Sequence, residues 1–401
     1  MTRTSAVTYG SSIIDSAPWP YFAEDEVSAA TRVLHSGQVN YWTGQESRNF
    51  ENEFAKSAGC NHAVALSNGT VAIELALHAL DIEPGDEVVV TPRTFLASAS
   101  AAVVRGIRPV FADVDLDSGN VAANTIEAAL TPKTKAIITV HLAGWPCDID
   151  PILEVARKHD LRVIEDCAQC HGATYKGRPC GSLGDVAAWS FCQDKIMTTG
   201  GEGGMLTTDD RQVWEKAWSY KDHGKSYDAV YNRQHEPGFR WLHEDFGTNW
   251  RMTEMQAAIG RVQLNKLSDW VAVRRRNASI LIERLSDVPA LRIPVPSPEF
   301  GHSYYKFYAY VVPERLKPDW TRDRIMTEIN DRGVPCTVGS CGEIYLEKAF
   351  EKHGLQPARR LPNAKLLGET SLMFLVHPTL TEEHMHLMAD VIRSVTMEAA
   401  W

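Results

Sequence analysis

His62-Ala63-Val64-Ala65-Leu66-Ser67-Asn68-Gly69-Thr70-Val71-Ala72-Ile73-Glu74-Leu75-Ala76-Leu77-His78-Ala79-Leu80 changes character twice. Ala63 to Leu66 are continuously apolar, as in a buried strand. Ser67 to Thr70 are turn and cap formers. Val71 to Leu80 is a run of strong helix formers. A strand that turns directly into a helix is the repeating unit of a parallel α/β sheet. The turn also carries chemistry. A helix start presents unpaired backbone N–H groups and a partial positive charge, which suits a phosphate. Gly69 lets the backbone approach a ligand closely and Thr70 adds a hydroxyl. The same residues also serve as plain helix caps.

The alternation continues on both sides. Helices are expected at Glu24 to Leu34 and Glu46 to Ala58, after an irregular segment 1–20. Downstream, Pro84-Gly85-Asp86 turns into a strand at Glu87 to Thr91, and a helix follows at Leu96 to Arg105. Further strands are expected at 108–112, 135–141 and 161–166, with helices at 125–130 and 150–160. This order predicts a mostly parallel sheet flanked by helices, with ligands at the carboxyl ends of the strands. Glu165 and Asp166 stand at such an end. A carboxylate there needs a partner; Asp166 suits a helix cap or a metal ligand.

Ser190-Phe191-Cys192-Gln193-Asp194-Lys195-Ile196-Met197-Thr198-Thr199-Gly200-Gly201-Glu202-Gly203-Gly204 follows an apolar run. Its lysine reads either as a solvated charge or as the amine of a Schiff base with a cofactor aldehyde. The glycines follow the lysine and lead into a strand at Met205 to Thr208, so they are not a dinucleotide loop. Residues 220–250 are aromatic, polar and loop-like, and too long for an idle connection. A long helix starts near Arg251, its continuation to Leu285 forming either one helix or two. Pro294, Pro296 and Pro298 mark a boundary. A strand at 304–312 and helices at 322–331 and 381–397 complete a smaller α+β domain. The expected division is 1–254, an N-terminal segment with the large domain, and 255–401, the small one.

Net charge is −10 over 401 residues with no basic block, which argues against nucleic acid and anionic membrane as partners. Arg274-Arg275-Arg276 reads as a solvated helix face. No segment is apolar enough for a leader or a bilayer span, so a cytoplasmic protein is expected. Eight cysteines are too sparse for a disulfide scaffold. Cys167 and Cys170 form a Cys-x-x-Cys pair after a strand rather than at a helix start, and are read as free thiols with no metal.

Taken in order, these segments resemble the DegT-type sugar aminotransferases, pyridoxal phosphate (PLP) enzymes of the aspartate aminotransferase fold. The resemblance rests on Ser67 to Ala72, Pro84 to Val88, Thr94-Phe95, His141 to Gly144, Glu165 to Ala173, Ser190-Phe191 with Lys195, and Gly201 to Gly204. It extends through Gly247 to Glu254, Gln256 to Gly260, and Gln263-Leu264. It implies that Lys195 forms the Schiff base and moves the proton. Asp166 would pair with the pyridine nitrogen, Gln169 with the phenolic oxygen, and Phe95 would stack on the ring. Gly69, Thr70 and Ser190 would hold the phosphate. Asn249 would reach the phosphate of a neighbouring subunit, which implies a homodimer. Asn68 stands where relatives often have Ser. His171 and His223 are expected to be hydrogen-bonded structural residues.

The implied reaction moves an amino group from L-glutamate to a keto carbon of a nucleotide-linked deoxy sugar, carbon four ahead of carbon three. The cofactor cycles through its pyridoxamine form (PMP), and the product is an amino sugar. Two alternatives share the fold. Sugar dehydratases of this type carry His in place of the lysine, so Lys195 argues against them, though an aromatising relative retains it. A non-catalytic protein would be expected to have lost Lys195 or Asp166.

Overall fold

The computed structural model describes residues 17–236 and 241–401. Helices α1 (Glu24–Ser36) and α2 (Glu46–Ala58) lead into strand β1 (His62–Leu66) and helix α3 (Gly69–Ala79). Then follow β2 (Glu87–Val90), α4 (Ala97–Val104), β3 (Arg108–Phe111), α5 (Ala123–Ala129), β4 (Thr134–Val140), α6 (Ile149–Lys158) and β5 (Arg162–Asp166). A short ribbon, β6 (Thr174–Tyr175) and β7 (Arg178–Pro179), precedes β8 (Val186–Ser190) and β9 (Gly204–Thr208). The seven-stranded sheet has the order β1-β9-β8-β5-β4-β2-β3. Strands β8, β5, β4, β2 and β3 pair in parallel, and β9 runs antiparallel to both of its neighbours. The α/β expectation therefore holds, with one reversed strand that apolar runs alone do not distinguish.

Both faces of this sheet are covered. One carries Phe50 and Phe54 of α2 and Ile149 and Ile152 of α6; the other carries Leu75 of α3 and Ala101 of α4. Helices α7 (Arg211–Tyr220) and α8 (Tyr227–Tyr231) follow, so the 220–250 segment is less irregular than expected. Helix α9 (Glu254–Leu285) is continuous. Its first half contributes Ala257, Leu267 and Val271 to the large-sheet core, and its second half Ala278, Leu281 and Leu285 to another. The expected division at 254/255 falls at the start of this helix, which serves both cores.

The second core lies under an antiparallel sheet in the order β10-β12-β14-β13, from β10 (Leu291–Arg292), β12 (Phe307–Val311), β13 (Cys336–Thr337) and β14 (Ser371–Phe374). Strand β11 (Phe300–Gly301) instead joins the β6–β7 ribbon. Helices α10 (Arg322–Asp331), α11 (Lys348–Lys352), α12 (Pro362–Thr370) and α13 (Glu382–Ala399) complete the chain. Among the described residues no helix is long and apolar enough to cross a membrane.

In the arginine run on α9, Arg275 and Arg276 are exposed as a solvated face requires, but Arg274 is not. Arg274 is 1% exposed. Its guanidinium lies over the Trp19 ring and donates to the Tyr305 carbonyl at 3.2 Å. A long flexible stem and a planar cation let arginine bury against aromatic and carbonyl groups. Trp19 in turn donates to the Lys195 carbonyl at 3.1 Å, so the chain just beyond 1–16 is tied to the lysine loop. Residues 1–16, most of the segment expected to be irregular, lie outside the described residues.

Candidate active site

The carboxyl ends of β5 and β8, the turn before α3 and the start of β12 enclose a cavity of about 700 Å³. Gly69, Thr70, Phe95, Asp166, Gln169, Ser190 and Lys195 all line it. Seven of the eight residues singled out in the sequence are thus brought together. Asn249 is the exception. It is exposed, forms a bridge to Asp222, and lies away from this cavity.

The alternation of strand β5 separates its two carboxylates. Glu165 is fully buried and accepts from the N–H groups of Gly181, Leu183 and Gly184 at 2.7–2.9 Å. It also accepts from His141 Nε2 at 2.9 Å. Burial opposes its ionisation, but His141 and these N–H donors outweigh it and hold the carboxyl below the usual value. Asp166 faces the cavity. Ser98 donates to its Oδ2 at 2.6 Å and the Ala168 N–H to its Oδ1 at 3.1 Å. Burial pushes its carboxyl up against those two bonds and the attraction of Lys195. Among the described residues it accepts no hydrogen bond from a charged donor, which leaves room for a cationic N–H.

Lys195 follows the end of β8 through a turn closed by its own N–H to the Cys192 carbonyl at 3.1 Å. Its ammonium is 3.3 Å from the Tyr305 hydroxyl and 3.5 Å from Asp194 Oδ1. Asp194 Oδ2 accepts from the Tyr305 hydroxyl and lies 3.7 Å from Lys306 Nζ. Burial alone would raise the Asp194 carboxyl; Lys195, Tyr305 and Lys306 hold it below its usual value. Burial brings Lys306 down to about 8, with Asp194 opposing. Asp194, Tyr305 and Lys306 were not singled out in the sequence. Tyr305 and Lys306 lie in a stretch that reads as an ordinary strand, and only the carboxylate next to Lys195 offered a signal.

The end of the cavity that suits a phosphate is built from the turn at 67–70. Asn68 caps α3 by accepting the Val71 N–H at 3.0 Å. This leaves the Gly69 and Thr70 N–H groups at the helix start without a capping side chain. Gly69 is required by packing, because a Cβ there would lie 2.6 Å from the Ser190 Cβ. Ser190 is thereby brought beside the helix start. Gln169 Oε1 accepts the Ala143 N–H at 2.8 Å, which leaves its amide NH₂ to face the cavity. Phe95 is 69% exposed and stands on the cavity wall, so it is not a core aromatic.

Three expectations concern residues outside the cavity. His171 packs between Trp189 and Phe191, and neither ring nitrogen has a hydrogen-bond partner among the described residues. Burial brings it down to about 3, so it is a neutral packing residue. His223 is exposed in a turn with φ 61. The cysteines are free thiols, and burial pushes those of Cys167, Cys170 and Cys180 well up. His141 lies within reach of Cys170 and Cys180, and of Glu165 and Cys167. Both its ring nitrogens are already engaged, Nδ1 by the Cys147 N–H at 2.9 Å and Nε2 by Glu165.

The pieces fit a flat, phosphorylated heterocycle that carries an aldehyde. The helix start suits the phosphate, buried Asp166 a ring N–H, Phe95 a ring face, and Lys195 the aldehyde. The comparisons agree with that fit. The model of the DegT/DnrJ/EryC1/StrS aminotransferase family matches residues 20–395. A GDP-perosamine synthase from Caulobacter vibrioides is 41% identical over 286 residues, 71% of this chain and 73% of its own. A UDP-N-acetyl-3-dehydro-alpha-D-glucosamine 3-aminotransferase from Acidithiobacillus ferrooxidans is 36% identical over 355 residues, covering 88% and 90%. The X-ray structure of an aminotransferase from Psychrobacter cryohalolentis superposes with a TM-score of 0.94 at 58% identity, covering 95% of this chain and 99% of that one.

Proposed function

We propose, on the premise that this chain belongs to the DegT/DnrJ/EryC1/StrS aminotransferase family and works with PLP, that it aminates a nucleotide-linked keto deoxy sugar. L-Glutamate is the donor in this reading, and carbon four of the sugar the favoured acceptor. Carbon three is the alternative, and the 3-aminotransferase relative keeps it in view. The two relatives act, by their names, on GDP- and UDP-linked sugars, so the nucleotide is left open. The observation that carries the reading is the convergence of Lys195 and buried Asp166 on one cavity that begins at a helix N-terminus.

When bound, PLP supplies an aldehyde that captures an amine and a ring that takes up the electron pair of a broken C–H bond. The residues of the chain do the rest. The Gly69 and Thr70 N–H groups, with the hydroxyls of Thr70 and Ser190, bind the phosphate. Asp166 keeps a proton on the ring nitrogen, a role suited to a buried carboxylate whose hydrogen bonds, among the described residues, come from neutral donors. Gln169 donates its free NH₂ to the phenolic oxygen, and Phe95 stacks on the ring. Lys195 Nζ removes the proton from the donor's α-carbon and later delivers one to the sugar carbon.

The described part of the 220–250 segment does not line the cavity of its own chain. We place Asn249 and this segment against the cavity of a second copy, which makes the working unit a homodimer. Mass analysis of products from a panel of keto sugar nucleotides with L-glutamate tests the reading. Transamination yields 2-oxoglutarate and an amino sugar in equal amounts. Loss of water with no consumption of glutamate would make the enzyme a dehydratase instead.

A further inference from the structure

Lys306 stands in the cavity with no part in the roles above. We propose that it binds the α-carboxylate of the amino donor, an inference that rests on the transaminase reading. Three observations converge. First, its position is close to the reacting amine. Lys195 and Lys306 approach the two oxygens of the single Asp194 carboxylate at 3.5 and 3.7 Å. Both ammonium groups also lie against the Tyr305 ring, at 4.9 and 4.7 Å from its centroid. The ring and the carboxylate fix the spacing of the two amines.

Second, this flank has positive charge to spare. Asp194 also accepts the Tyr305 hydroxyl, so it is shared among three donors. Arg274 adds a buried cation behind Tyr305 whose Nε and Nη2 find no hydrogen-bond partner among the described residues. Once Lys195 is committed to the cofactor, Lys306 and Arg274 face one carboxylate. An incoming anion restores the balance.

Third, the position selects which anion. The carbon that reacts must lie beside Lys195. In an α-amino acid the carboxylate is bonded directly to that carbon. In a nucleotide sugar the phosphates are separated from the keto carbon by the pyranose ring. A cation one carboxylate's width from Lys195 therefore meets the donor's α-carboxylate and not the diphosphate. Lys306 serves the donor half of the reaction.

The test compares L-glutamate with its α-amide, isoglutamine, as donor to the wild-type, Lys306→Met and Lys306→Arg holoenzymes, following the loss of yellow absorbance. Calorimetric binding of glutarate, which is unreactive, gives a second readout. Lys306→Met is expected to lose about 10–100-fold with L-glutamate and much less with isoglutamine, and to weaken glutarate by a similar factor. Lys306→Arg is expected to keep the preference for the carboxylate. Equal losses with both donors, or an unchanged preference in Lys306→Met, would overturn the inference and leave the function standing. A wild-type protein that accepts no α-amino acid would end both.

Discussion

Asp166 and Glu165 are neighbours with opposite duties, and the difference is one of partners. Glu165 is saturated by three N–H groups and His141, whereas Asp166 holds two neutral donors and faces the cavity. Replacing Asp166 with Asn removes the group that keeps the ring nitrogen protonated. Turnover should fall by about 10²-fold or more while the fold persists, as read by steady-state rates beside a melting curve. Lys195→Ala should remove the proton carrier, with single-turnover decay of the donor form slowed by about 10³-fold or more. Both residues were legible in the sequence, because a carboxylate at a strand end and a lysine before glycines leave marks in order. Lys306 and Tyr305 were not. Their alternation with Phe307 and Tyr308 is that of any half-buried strand, and only the packing of the two sheets turns them toward Lys195. Arg274 was misread for a related reason, since a run of arginines on a helix carries no sign of which one lies beneath a tryptophan.

At the scale of elements, the strand–turn–helix at 62–79 was legible down to its cap, because an apolar run, a capping turn and an Ala- and Leu-rich run follow one another directly. The two-residue strands at 174–175, 178–179 and 300–301 were not, since two residues show no period. The reversal of β9 was hidden as well, for a buried strand reads alike in either direction. Gly69→Ala tests the turn. Its Cβ would meet Ser190, so the start of α3 must shift, at about 1–3 kcal/mol in stability. Affinity for the phosphate-bearing cofactor should drop with it, as measured by titration of the apoprotein. Glu165→Gln tests the end of β5, and is expected to cost about 3 kcal/mol at neutral pH. The sign of its pH dependence follows from a folded value held below the ordinary 4.5. The advantage of Glu165 should be complete above that ordinary value and fade as pH falls through the lower folded one. Melting temperatures of the two proteins should therefore converge in acid.

For the whole molecule, the two sheets make a cleft lined by residues as far apart in the chain as Asn68 and Met373. Gly339, Ser340 and Met373 also line it, and none of them is marked in the sequence. Asn249 lies outside the cleft of its own chain, so its proposed role requires a second copy. Asn249→Ala and Lys195→Ala, each nearly inactive alone, should recover part of the activity when subunits are exchanged. No recovery, together with a monomeric mass by sedimentation, would remove the shared site. The central claim is that Lys195, and not the nearby Lys306, is the amine that carries the cofactor. Borohydride reduction of the yellow protein followed by peptide mass mapping tests it directly. A phosphopyridoxyl group is expected on Lys195 alone; a label on Lys306, or on neither lysine, would contradict the assignment.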